Sequence, residues 1–133
     1  MKKHKNILVI EDENNLRSTI VDVLRAEDFD AIEAKDGKEG VKMALKYHPD
    51  LILLDLLMPG MDGMTAFEKI RKDSWWKGVP VIILTNINPT AEKLVQEVID
   101  YGPISYLIKS DWKLHDIARK IEEALHSKAQ KYD

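Results

Sequence analysis

Four short apolar runs govern what this chain can fold into: Ile7–Ile10, Leu51–Leu54, Val81–Leu84 and Ile104–Ile108. Each is strand length and mostly rich in branched residues. Continuous apolar runs, as opposed to alternating ones, suit strands covered on both faces, as in a parallel sheet. Ala31-Ile32-Glu33-Ala34 is a weaker fifth candidate, and its charge suits a sheet edge.

Between these runs the apolar residues recur at helical spacing. Leu16, Ile20, Val23 and Leu24 form one stripe, Val41, Ala44 and Leu45 a second, and Met64, Phe67 and Ile70 a third. Leu94, Val95, Val98 and Ile99 form a fourth, and Ile117, Ile121, Ala124 and Leu125 a fifth. Asn88-Pro89 reads as a helix cap with proline at the first helical position. Ser110 or Asp111 is a candidate cap for the last helix. Five rounds of strand then helix predict an α/β fold, a parallel sheet with helices on both faces. No repeat, low-complexity tract or linker interrupts the pattern, so residues 1–133 read as one domain with a core over about 6–125 and a fraying tail from Ser127.

Composition narrows the function. A net charge of −3 gives no basic patch for nucleic acid or an anionic membrane. The chain has no cysteine, which removes disulfides and thiolate chemistry and fits a cytoplasmic protein. The basic start, Met1 to Lys5, is followed by an apolar run too short for a signal peptide or a membrane span.

The acids carry the chemistry. The first strand ends in Glu11-Asp12-Glu13 and the third in Asp55. In an open α/β sheet, ligands bind outside the carboxyl ends of the strands. Acids from two strands therefore meet at one edge if those strands are neighbours. Clustered carboxylates repel, and a hard divalent cation such as Mg²⁺, which prefers oxygen ligands, relieves the repulsion. For Glu11-Asp12-Glu13 alone, capping of the first helix explains the acids as well as metal binding does. The fourth strand ends in Thr85 and the fifth in Lys109, so all four long strands bring a polar residue to the same edge. A carboxylate can attack phosphorus to give an acyl phosphate. Because both reactants are anionic, positioning and charge neutralisation dominate the barrier. Asp55 as nucleophile, Asp12 as metal ligand, Lys109 as cation and Thr85 as hydroxyl donor match those needs.

From about Asn6 to Leu125 the chain resembles the receiver domain of bacterial two-component response regulators. The matching stretches are Ile7 to Glu13, Asp55-Leu56-Leu57-Met58-Pro59-Gly60-Met61-Asp62-Gly63, Val81 to Thr85, and Tyr106-Leu107-Ile108-Lys109. The resemblance implies a flavodoxin-like doubly wound (βα)5 fold with strand order 2-1-3-4-5. It implies Asp55 as phosphoacceptor, Asp12 as direct Mg²⁺ ligand, Glu11 as a ligand through water and the Leu57 carbonyl as a third protein ligand. Thr85 corresponds to the switch hydroxyl, Tyr106 to the switch aromatic and Lys109 to the phosphoryl-contacting lysine. The implied partners are a histidine kinase or phosphotransfer protein and a downstream protein on the face of the fourth helix, fifth strand and fifth helix. Such a domain assists only its own phosphorylation and is not a turnover enzyme.

The chain departs from that family at several positions. Ser110 stands where proline normally follows the lysine in a cis peptide; without proline the cis form costs roughly 3–4 kcal/mol, so a trans bond is expected. Asn86 replaces a small residue beside Thr85. Leu57 and Ile87 flank the site as apolar groups that cannot orient a water, which points to slow self-dephosphorylation. These departures leave a second reading, a degenerate receiver that only binds other proteins. A flavin carrier is disfavoured because acids occupy the place of a phosphate-binding loop. A dehalogenase-type phosphatase is disfavoured because Leu57 stands where its second Asp belongs.

Overall fold

A computed structural model describes residues 4–55, 63–72, 79–85, 104–108 and 114–132. The elements in chain order are β1 (Asn6–Ile10), α1 (Asn14–Ala26), β2 (Asp30–Ala34), α2 (Gly37–Tyr47), β3 (Leu51–Asp55), α3 (Gly63–Arg71), β4 (Val81–Thr85), β5 (Ile104–Ile108) and a C-terminal helix (Leu114–Tyr132). The strands form a parallel sheet that runs β2-β1-β3-β4. The backbone of β5 lies beside β4, with Val81 opposite Ile104 and Thr85 opposite Ile108. The α/β class is as the alternation predicts, and the order of these first four strands is as the family resemblance implies. The helix expected over Leu94–Ile99 lies outside the described residues, as do Asn88-Pro89, Ser110 and Asp111.

Alternate residues along each strand feed two separate cores, as strand geometry requires. Leu8, Ile10, Ile52, Leu54, Val81 and Ile83 face Ala44 of α2 and Ile70 of α3. Ile7, Val9, Leu51, Leu53, Ile82 and Leu84 face Ile20, Val21 and Leu24 of α1 and Ile117 and Ile121 of the C-terminal helix. This double covering is why the runs contain no polar alternation. β2 is the edge strand, and its partly exposed Ala31 and Ile32 and exposed Glu33 show it.

The register of the sheet is anchored at its amino end. The Asn6 amide donates to the Asp50 carboxylate at 2.7 Å, and the Asp50 amide donates back to the Asn6 carbonyl at 2.8 Å. On the other side, the Asp30 amide donates to the Lys5 carbonyl at 2.9 Å. Ile7 then pairs with Leu51 and with Ala31, and the count runs in step to the carboxyl ends.

Local signals set the helix ends. Asp36 caps α2 by accepting from the Glu39 amide at 2.8 Å, and the Glu39 carboxylate accepts from the Lys35 amide at 3.2 Å. His48 closes α2 in the left-handed region (φ 45°), with its amide donating to the Ala44 carbonyl at 3.0 Å. The C-terminal helix runs to Tyr132. Its last turns, Ser127-Lys128-Ala129-Gln130-Lys131, hold good helix formers and neither glycine nor proline.

One stripe differs from expectation. Leu45, assigned by spacing to the core face of α2, is 40% exposed, while Gly37, Gly40 and Ala44 are buried. The small residues let α2 approach the sheet closely, which turns Leu45 outward. The approach is tightest at Gly40, where an added Cβ would lie 2.6 Å from Cδ1 and 2.9 Å from Cγ1 of Ile10. Gly40→Ala therefore gains helix propensity of about 1 kcal/mol but overpacks by about 1–3 kcal/mol. Denaturant melts should show net destabilisation, partly recovered by adding Ile10→Val, which removes Cδ1. A Gly40→Ala variant more stable than wild type would contradict the close approach.

Candidate metal centre

β1 and β3 are neighbours with Ile7 opposite Leu51 and Val9 opposite Leu53. Two further residues along each strand bring Glu11 level with Asp55. Both continue the parity of Val9 and Leu53, so the strand alternation directs them to one side of the sheet. The ladder carries on far enough to hold Glu11, whose amide donates to the Ala34 carbonyl of β2 at 3.1 Å.

The result is a cluster of three carboxylates. One oxygen from each of Glu11, Asp12 and Asp55 lies within 4.8 Å of the other two. Glu11 is 0% and Asp55 3% exposed, whereas Asp12 faces solvent. Ionised together at that separation, Glu11 and Asp55 repel by on the order of 3 kcal/mol at an effective dielectric of about 20. Among the described residues no other group of three potential ligands comes this close.

The donors are all carboxylate oxygens, two of them buried and one open to water. That set fits a hard, oxygen-preferring cation that keeps part of its water shell. The capping alternative explains less. Glu13 occupies the N-cap position of α1 with extended backbone (φ −77°, ψ 111°), yet its side chain makes no capping hydrogen bond. Glu11 and Asp12 lie before the cap, beside Asp55.

The other expected site residues are placed only in part. Thr85 is the last residue of β4, next to Leu84, which pairs with Asp55. Tyr106 lies in β5 opposite Ile83. Leu57, Lys109, Ser110, Asn86 and Ile87 lie outside the described residues. Arg17 is the residue that sequence reasoning passed over. Its side chain reaches back from α1 and donates to the Glu11 carbonyl at 2.8 Å. A basic residue one helical turn after an acidic triplet was the available signal.

If the cluster repels itself, neutralising its exposed member should stabilise the metal-free protein. Asp12→Asn should melt roughly 1–3 °C above wild type in chelator. Added Mg²⁺ should raise the wild-type Tm and raise that of the variant less. A variant that melts lower in chelator and gains equally from Mg²⁺ would contradict this account.

Comparison with known proteins agrees with the geometry. The response regulator receiver domain family matches residues 7–122. Response regulator ArlR of Staphylococcus aureus is 32% identical over 125 residues, which cover 94% of this chain and 54% of that protein. The probable transcriptional regulator ycf27 of Porphyridium aerugineum is 31% identical over 130 residues, covering 93% of this chain and 52% of that protein. The chain thus spans about half the length of these two relatives. Among solved structures, a CheY-like receiver domain protein from Methanospirillum hungatei superposes with a TM-score of 0.86 at 22% identity, over 97% of this chain and 99% of that one. Chemotaxis protein CheY4 of Vibrio cholerae does so at 0.81 and 22% identity, over 92% and 99%. At that identity these two likenesses speak for the fold alone. The family match extends from β1 into the first half of the C-terminal helix, and with it this chain belongs to the response regulator receiver domains of two-component systems.

Proposed function

We propose that this receiver domain is phosphorylated on Asp55, in a Mg²⁺-dependent reaction, by a histidine kinase or phosphotransfer protein. The observation that carries the reading is the meeting of Asp55 with Glu11 and Asp12 at the carboxyl edge of the sheet. A buried carboxylate beside two others is costly without a cation, and a phosphoacceptor needs a cation.

Asp12 and Asp55 would hold the Mg²⁺ directly and Glu11 through water, with the Leu57 carbonyl as the third direct protein ligand. When bound, Mg²⁺ offsets the negative charge of the acceptor and of the incoming phosphoryl oxygens. The Asp55 side chain supplies the electron pair for the new O–P bond. The P–N bond to the donor imidazole breaks as it forms, and that nitrogen leaves with the bonding pair. Thr85 donates a hydroxyl and Lys109 an ammonium to the phosphoryl oxygens. Thr85 and Tyr106 then form the switch that changes the partner surface of the fourth helix, fifth strand and fifth helix.

The domain modifies itself and turns over no separate substrate, so we do not class it as an enzyme. Among the described residues no helix is long and apolar enough to cross a membrane. A histidine-kinase partner places the proposed site of action in the cytoplasm. The complete (βα)5 winding, with a helix over Leu94–Ile99, belongs to the same reading.

Incubation with Mg²⁺ and acetyl phosphate or phosphoramidate, followed by intact-mass measurement, tests the proposal. Wild type should gain one phosphoryl group, and folded Asp55→Asn should gain none. An unmodified wild type with native fold would favour the protein-binding module; an equal adduct in Asp55→Asn would place the acceptor elsewhere.

A further inference from the structure

We propose that Arg17 is a positioning residue for the metal-binding turn: its guanidinium holds the Glu11 carbonyl, and with it the Glu11–Asp12 peptide plane, in the orientation that brings both carboxylates to Asp55. The inference rests on the Mg²⁺ site proposed above and deepens it.

The guanidinium makes three contacts with three pieces of chain. Nη1 donates to the Glu11 carbonyl at 2.8 Å, Nη2 to the Asn14 side-chain oxygen at 2.8 Å and Nε to the Glu33 carboxylate at 3.4 Å. The side chain is only 14% exposed although it starts on the first turn of α1. The two short bonds are the strong ones. The contact to Glu33 is long and Glu33 itself is 43% exposed, so this pair adds little by itself.

The importance lies in what is being held. The Glu11 amide is fixed by the Ala34 carbonyl of β2, but the sheet ladder goes no further along this strand. Past that point the orientation of the Glu11–Asp12 peptide is set by ψ of Glu11 and φ of Asp12. Its carbonyl is the handle on that rotation, and Arg17 is bonded to it. Rotation of the plane would swing the exposed Asp12 carboxylate away from the buried pair. Arginine suits the task because its fork presents several donors in fixed directions; lysine has a single point charge on a flexible stem.

A purely structural Arg17 would affect stability without acting on metal affinity, and a purely electrostatic one would lose its effect in salt. Amide-resolved NMR titrations with MgCl₂ separate these roles for wild type, Arg17→Ala and Arg17→Lys, at low and high salt. Melting curves in chelator complete the set. Arg17→Ala should weaken Mg²⁺ binding about tenfold, shift the amide resonances of Glu11 to Glu13 before metal is added, and leave the metal-free Tm nearly unchanged. Arg17→Lys should fall between it and wild type, and the ratios should persist in high salt. Wild-type affinity in Arg17→Ala, or a ratio that vanishes in high salt, overturns the positioning role. Should Arg17→Ala fail to fold, wild-type affinity in Arg17→Lys overturns it equally. A wild type that shows no Mg²⁺-dependent shifts overturns the metal reading and this inference together, whereas normal wild-type binding with an indifferent Arg17 overturns this inference alone.

Discussion

Everything at the carboxyl edge of this sheet depends on the register of β1 against β3. Glu11 meets Asp55 only because Ile7 pairs with Leu51 and the two strands then climb in step. A slip of one residue would send the apolar set of a strand to the opposite core and separate the acids. The register is held at the far end of the strands by the reciprocal bonds between Asn6 and Asp50. It is held along the strands by two cores that each accept only alternate residues. Function at one edge is thus specified by polar bonds at the other.

The carboxylate cluster works against the stability that the cores supply. Two carboxyl groups at 0% and 3% exposure are retained where apolar residues would pack with less cost. Local rules that are broken in an otherwise consistent fold mark a functional site. Here the broken rule is the burial of neighbouring carboxyl groups, and the proposed chemistry that would make use of it is binding a hard cation next to a phosphoacceptor carboxylate.

Much of this was legible in the sequence because the signals were strong and periodic. The apolar runs gave the strands, their lack of alternation gave the double covering, and the acids following two of the runs gave the carboxylate cluster. The features that escaped depend on three-dimensional approach. Leu45 fits a core stripe by spacing, yet the small residues Gly37, Gly40 and Ala44 turn it outward. The lock between Asn6 and Asp50 joins residues distant in sequence through a backbone amide that no pattern announces. The one signal for Arg17, a basic residue one turn after an acidic triplet, gains meaning only when its guanidinium is seen bonded to the Glu11 carbonyl.

The central claim, a cation held by Glu11, Asp12 and Asp55 in the service of phosphoryl transfer to Asp55, is tested most directly by the rate of phosphoryl incorporation from acetyl phosphate as Mg²⁺ is varied. The rate should rise with Mg²⁺ to saturation in wild type, and the half-saturating concentration should move upward in Asp12→Asn. A rate that is the same in chelator as in saturating Mg²⁺ would contradict the account.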